Sequence, residues 1–179
     1  TKANEISEDG SIVMTITGAP GNQLVYTSDV GGSGWPLSFS ADTLPLGQYT
    51  ALSMTPDATI RYAVKNETTY STIYTYSSGV WDAGNVISPD GLQVTNLSTN
   101  SDGSVILGNA HTFIILSTNG ENGPFVRISP WNPGFTTPSV LSDVSVSPNG
   151  QTLIVNGSAT DGGTFIWSSY DGGTTWAPR

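Results

Sequence analysis

Ser7-Glu8-Asp9-Gly10 leads into Ser11-Ile12-Val13-Met14, a short polar turn followed by an apolar run. The same order returns at Thr55-Pro56-Asp57-Ala58 before Thr59-Ile60-Arg61-Tyr62, at Ser101-Asp102-Gly103 before Ser104-Val105-Ile106-Leu107, and at Ser147-Pro148-Asn149-Gly150 before Gln151-Thr152-Leu153-Ile154. The Asp or Asn of each turn follows the last by 48, 45 and 47 residues, a steady period that marks a repeat architecture. A second marker travels with the first: a Ser/Thr/Gly-rich turn ending on an aromatic residue, at Trp35, Trp81, Phe125 and Trp176.

Between the markers each unit reads as four strands. Thr50 to Ser53 enters the polar turn, Ile60 to Val64 leaves it, Thr72 to Tyr76 makes a third strand, and a short fourth strand lies at the aromatic. Alternation of Ile60, Tyr62 and Val64 with Arg61, Ala63 and Lys65 is the period of two expected of a strand. Asp-Gly and Asn-Gly pairs supply tight hairpins. Four antiparallel strands per unit of about 45 residues is the pattern of a propeller blade. The sequence therefore predicts an all-β fold, a β-propeller of four four-stranded antiparallel blades in one domain, with blades near 1–46, 47–91, 92–138 and 139–179.

In the last unit, Ser169-Tyr170-Asp171-Gly172-Gly173-Thr174-Thr175-Trp176 resembles the Asp-box motif of BNR-repeat propellers, S-x-D-x-G-x-T-W, at Ser169, Asp171, Gly173, Thr175 and Trp176. Thr27 to Trp35 is similar with one extra residue, contributing Asp29, Gly31 and Trp35. The inner units depart further: Ser77-Ser78-Gly79-Val80-Trp81 lacks the aspartate, and Ser117 to Phe125 has Asn119 in its place. The resemblance implies a propeller in which the box is a structural turn between third and fourth strands, away from the usual ligand face. An Asx side chain bonding the backbone ahead of it, a glycine at positive φ and a capping indole give that turn a physical basis.

Composition restricts the function. The formal charge of −9 repels phosphate backbones and anionic membranes, so nucleic acid and membrane insertion are not expected. With no cysteine there is no disulfide framework, thiolate metal site or cysteine nucleophile. Charged residues make up 11% of the chain, so Ser, Thr, Asn and Gly must supply the polar surface, which suits strands and turns. No run of about 18 apolar residues is present, and the first residues do not form a signal peptide.

The sialidases of the resembled family hold a substrate carboxylate with three arginines, beside a tyrosine-glutamate nucleophile pair and an acid aspartate. This chain has Arg61, Arg127 and Arg179 in all, and no glutamate pair placed as acid and base. His111, the one histidine, reads as a hairpin-turn residue. No cofactor or metal is expected, and catalysis is not. Recognition fits better: aromatic rings stack on sugar C–H faces while Asn and Asp take the hydroxyls. Trp131, in the proline-flanked stretch Ser129 to Phe135, is the first ligand-binding candidate; Tyr70, Tyr76 and Arg61 follow, with Arg61 expected to face solvent. Asn66-Glu67-Thr68, Asn96-Leu97-Ser98 and Asn156-Gly157-Ser158 are glycosylation sequons.

The reading is an extracellular, secreted or virion-surface recognition module whose partner is a glycan or another surface protein. Its alternatives are an assembly protein of a fibre, sheath or virion and, behind that, a sialidase-like or other glycosidase fragment. The chain starts on a first strand and stops after the last fourth-strand aromatic, leaving no clasp strand. Closure without a clasp, a ring shared by two chains as a homo-oligomer, and further blades elsewhere are all consistent with that phase.

Overall fold

The computed structural model describes residues 4–29, 40–88, 92–129 and 138–179. The described residues form four antiparallel sheets and no helix. Blade 1 runs β1 (Asn4–Ile6), β2 (Val13–Ala19), β3 (Asn22–Ser28) and β4 (Ser40–Ala41). Blade 2 runs β5 (Gln48–Met54), β6 (Arg61–Asn66), β7 (Ser71–Ser77) and β8 (Val80–Trp81), with β9 (Asn85–Ser88) also paired to β7. Blade 3 is β10 (Val94–Thr99), β11 (Ile106–Ala110), β12 (Phe113–Ser117) and β13 (Val126–Ile128). Blade 4 is β14 (Pro138–Val146), β15 (Leu153–Ala159), β16 (Thr164–Ser169) and β17 (Ala177–Pro178). The strands follow one another in chain order, as in propeller blades. The chain divides into two compact units, 1–91 and 92–179, each a pair of blades.

The repeated polar turn joins the first two strands of every blade, and its chemistry explains its sequence. Asp9 Oδ1 accepts from the Ser11 N–H at 2.9 Å while Ser7 Oγ accepts from Ile12 N–H at 2.9 Å. Thr55 with Asp57, Asn100 with Asp102, and Ser147 with Asn149 repeat both bonds to their own following residues. Such a turn satisfies backbone donors that the ladder leaves over. Its fourth position needs a left-handed backbone, filled by Gly10, Gly103 and Gly150 and, in blade 2, by Ala58 at φ 54°. Adjacent turns also bond: the Glu8 N–H donates to the Pro56 carbonyl at 2.8 Å, and the Ser101 N–H to that of Pro148 at 3.0 Å.

Within 1–91, Met14, Ile16 and Val25 of blade 1 pack with Leu52, Ala63 and Tyr74 of blade 2. Within 92–179, Leu107, Ile114 and Leu116 of blade 3 pack with Val144, Leu153 and Val155 of blade 4. Each blade thus turns one face to its partner and one away. On β6 the expected alternation of buried and exposed positions gives way to burial on both faces, since Tyr62 and Val64 are as buried as Ala63 and Arg61. A strand covered on both sides has no solvent face for its pattern to reveal.

Candidate functional site

In the unit 1–91, the first residue of β6, the end of β7 and the short β8 bring three long side chains into a stack. The Arg61 guanidinium lies 4.4 Å from the centre of the Tyr76 ring, which meets Trp81 edge-on at 5.5 Å. Arg61 is 7% exposed, not solvent-facing as the strand pattern suggested. Its Nε donates to the Ala58 carbonyl at 3.0 Å and its Nη2 lies 3.6 Å from Asp29 Oδ1. A guanidinium anchored by a carbonyl, a ring and a carboxylate is held by the fold.

Beside it, Asp42 ties blade 1 to blade 2. Trp81 Nε1 donates to Asp42 Oδ1 at 3.0 Å and Thr27 Oγ1 to Asp42 Oδ2 at 2.8 Å. Burial raises the Asp42 carboxyl above its usual range, against the pull of those two bonds. Tyr70 stands apart from this stack in the turn between β6 and β7, 39% exposed. Trp131, Gly31 and Trp35 lie outside the described residues.

In the unit 92–179, the turn between β16 and β17 is built on Ser169 and Asp171. The Asp171 carboxylate accepts from Thr175 N–H at 2.9 Å, Thr175 Oγ1 at 2.6 Å and Ser169 Oγ at 2.7 Å. These bonds hold it down to about 2. Gly173 N–H donates to Ser169 Oγ at 2.8 Å, and Trp176 Nε1 donates to the Gly173 carbonyl at 3.1 Å. A Cβ at Gly173, which has φ 95°, would meet Leu116 of blade 3 at 2.4 Å, so the glycine sets the approach of the two blades there.

Next to this turn lies a groove of about 170 Å³, lined among others by Asp161, Thr164, Phe165, Trp167 and Arg179. Arg179 links groove and turn: its Nε donates to Ser168 Oγ at 2.8 Å, and its guanidinium lies 4.9 Å from the centre of the Tyr170 ring. Tyr170 is 61% exposed. The arrangement offers a wet aromatic face, a cation, a carboxylate and a hydroxyl in one place. Sequence reasoning passed over Tyr170 because it fills the free position of S-x-D; a large aromatic at a free position of an exposed turn was the available signal.

A second carboxyl, like that of Asp42, is raised by burial. Glu5 on β1 pairs with Met14, sharing the face that meets blade 2, and burial pushes it up to about 7. His111 occupies the β11–β12 hairpin turn at φ 59°, where its carbonyl accepts from the Leu141 N–H of blade 4 at 2.9 Å. Among the described residues, no group of three or more His, Asp or Glu side chains is placed to hold a metal ion.

Against solved structures, the chain superposes on a TolB from Agrobacterium tumefaciens with a TM-score of 0.68, at 19% identity over 99% of this chain and 60% of that one. A TolB from Acinetobacter baumannii gives 0.63 at 19% identity, covering 96% and 41%. The Dos1 propeller gives 0.63 at 12% identity, covering 91% and 42%. The chain has a β-propeller fold. It spans three fifths or less of the length of these propeller structures. No family model matches it, and no curated protein matches it.

Proposed function

We propose that this chain is a non-enzymatic recognition module of the Asp-box propeller type, displayed outside the cytoplasm, and that the groove of blade 4 binds carbohydrate. The observation that carries this reading is the exposed Tyr170 ring joined through Arg179 to a groove holding Asp161 and Thr164. A phenol ring stacks on the C–H face of a pyranose, and the cation, carboxylate and hydroxyl address its hydroxyls. At about 170 Å³ the groove is smaller than the roughly 300 Å³ at which drug-sized pockets begin, so one sugar ring is the fitting ligand. Asp171 is not assigned to ligand, because its acceptors are taken up inside the turn.

The test is glycan-array binding of the purified chain, followed by titration of any hit. Saturable binding that weakens at least tenfold in Tyr170→Ala, with the far-UV spectrum unchanged, supports the reading. Trp131→Ala in the same assay decides whether the Ser129 to Phe135 stretch contributes. No saturable binding to any glycan overturns it.

A further inference from the structure

Asn-Gly occurs four times in the chain, at Asn119-Gly120, Asn122-Gly123, Asn149-Gly150 and Asn156-Gly157. The pair has a chemistry of its own, because a glycine has no Cβ to keep its backbone nitrogen from reaching the side-chain amide carbon of the asparagine before it. That approach needs a backbone free to turn and a nitrogen whose N–H is not held by a good acceptor. The fold treats the four pairs differently. Asn156 and Gly157 lie inside β15, paired on one side with β14 and on the other with β16, and Gly157 is buried. The Gly120 N–H donates to the Ser104 carbonyl at 2.8 Å and that of Gly150 to the Ser147 carbonyl at 2.9 Å, and both glycines are buried. Asn149 is fixed a second time, since its Oδ1 accepts from Ser147 Oγ at 2.8 Å and from the Gln151 N–H at 3.1 Å.

Asn122-Gly123 stands in the turn between β12 and β13 of blade 3, with Asn122 exposed and Gly123 only partly buried. The Gly123 N–H donates to the Gly120 carbonyl at 3.3 Å, beyond the roughly 2.7–3.2 Å of a normal bond, and that same carbonyl takes the Ser117 hydroxyl at 2.6 Å. Its nitrogen is therefore held more weakly than those of Gly120 and Gly150. The glycine itself is required by its surroundings. A Cβ at Gly123 would meet Ser117 Oγ at 2.5 Å and Asn119 Cβ at 2.9 Å, so a larger residue would displace the turn. Folding thus demands the residue type that leaves Asn122 open to attack. We propose that Asn122 is a modification site, the asparagine at which the folded chain deamidates.

In that reaction the Gly123 nitrogen bonds to Asn122 Cγ, the Cγ–Nδ2 bond breaks, and the proton of the glycine N–H leaves with the amide nitrogen as ammonia. A five-membered imide remains. Water then opens it at either carbonyl, giving aspartate or an isoaspartate whose chain runs through Cβ. Nothing is oxidised or reduced, and water is the one co-reactant. Glu121 fixes what the change does locally. Its Oε1 accepts from Asn122 Nδ2 at 2.9 Å, so the reaction exchanges an amide donor for a second carboxylate beside the first. The turn leading into β13 loses that hydrogen bond, gains a charge and, in the isoaspartate form, gains an atom of backbone between Gly120 and Gly123.

The test is ageing of the purified chain at about pH 8 and about 37 °C, followed by intact mass and by peptide mapping with fragmentation. Each amide converted to a carboxyl adds about 1 Da, which separates deamidation from the isomerisation of Asp-Gly pairs. The expected result is one such step, mapped to Asn122 as isoaspartate with aspartate, while Asn119, Asn149 and Asn156 keep their amides. Asn122→Gln should hold its mass over the same time. In guanidinium chloride, where the fold protects nothing, all four pairs should react at similar rates. Conversion in the folded chain that reaches any other asparagine first overturns the proposal. So does an Asn122 still fully amidated in the folded chain when the unfolded chain has converted half of its own.

Discussion

The away-facing sheets of blades 2 and 4 hold the same register and similar residues, yet one is buried and the other open. Val64 and Asn156 mark the difference in composition; Ile73 and Ile166 show that composition is not all of it, because the same residue type is fully buried in one blade and exposed in the other. A strand pattern reports that a face is apolar. Whether it is covered depends on what lies against it. The sharpest way to break the comparison is truncation of matched residues. Ile73→Ala removes a fully buried side chain and should cost about 2–5 kcal/mol, while Ile166→Ala, at a side chain 46% exposed, should cost less than about 1 kcal/mol. Urea unfolding of both variants measures the pair, and equal costs would mean that the open face is covered within the single chain.

A second contrast lies between the fourth-strand tryptophans. Trp176 donates to Gly173 in its own turn, whereas Trp81 donates to Asp42, 39 residues away in blade 1. The first bond is local and the second ties two blades. Asp42→Ala leaves both Trp81 Nε1 and Thr27 Oγ1 without their acceptor and should destabilise by about 1–3 kcal/mol. Trp176→Phe, which loses one bond to a turn carbonyl, should cost about 1 kcal/mol. Thermal unfolding of the two variants ranks them; a larger loss at Trp176 would place the main constraint in the turn.

The same contrast shows what was legible in the sequence. The first polar turn could be read because it depends on residues within five positions of one another, as in Ser7, Asp9 and Ile12, and its recurrence along the chain set the period and the strands of each unit. The turn around Asp171 was legible for the same reason. Asp42 was not, because its partners, Thr27 and Trp81, are 15 and 39 residues away and are set by strand pairing and blade packing. Arg61 was misjudged in the same way: alternation placed it opposite Tyr62, but both faces of β6 are covered and the guanidinium finds its partners in Ala58, Asp29 and Tyr76. The groove of blade 4 joins Asp161, Thr164 and Arg179 from separate turns and strands, and no spacing rule brings those together.

Burial of Glu5 gives a prediction of opposite sign to the usual carboxylate effect. Its carboxyl is raised from 4.5 to about 7 in the folded chain, so between those pH values the folded state binds more protons than the unfolded one. Stability must then fall as pH rises through that window. The full shift corresponds to roughly 3 kcal/mol, and partial exposure reduces the expected loss to about 1–2 kcal/mol. Glu5→Gln should match the parent chain at pH 4 and exceed it at pH 8. Chemical denaturation at the two pH values is the check, and an unchanged difference would mean that Glu5 is solvated.

The smallest effect separates blade 4 from the other three at the first polar turn. Asp9 is held down to about 2 by hydrogen bonds from Ser11 and Ser7, Asp57 is lowered by those from Thr55 and Thr59, and Asp102 by those from Ser104. Asn149 presents the same acceptor in blade 4 with no proton to gain. For the three aspartates the stabilisation is complete above the unfolded value of 3.8 and is lost as pH falls through the folded one. Asp9→Asn, Asp57→Asn and Asp102→Asn together should leave Tm at neutral pH nearly unchanged and flatten its decline in acid. Asp171, lowered to about 2 by its own turn, keeps a residual slope in that variant. If the decline in acid keeps its full steepness, the turns gain nothing from the charge, and the side-chain oxygen shared by Asp and Asn is the whole of their contribution.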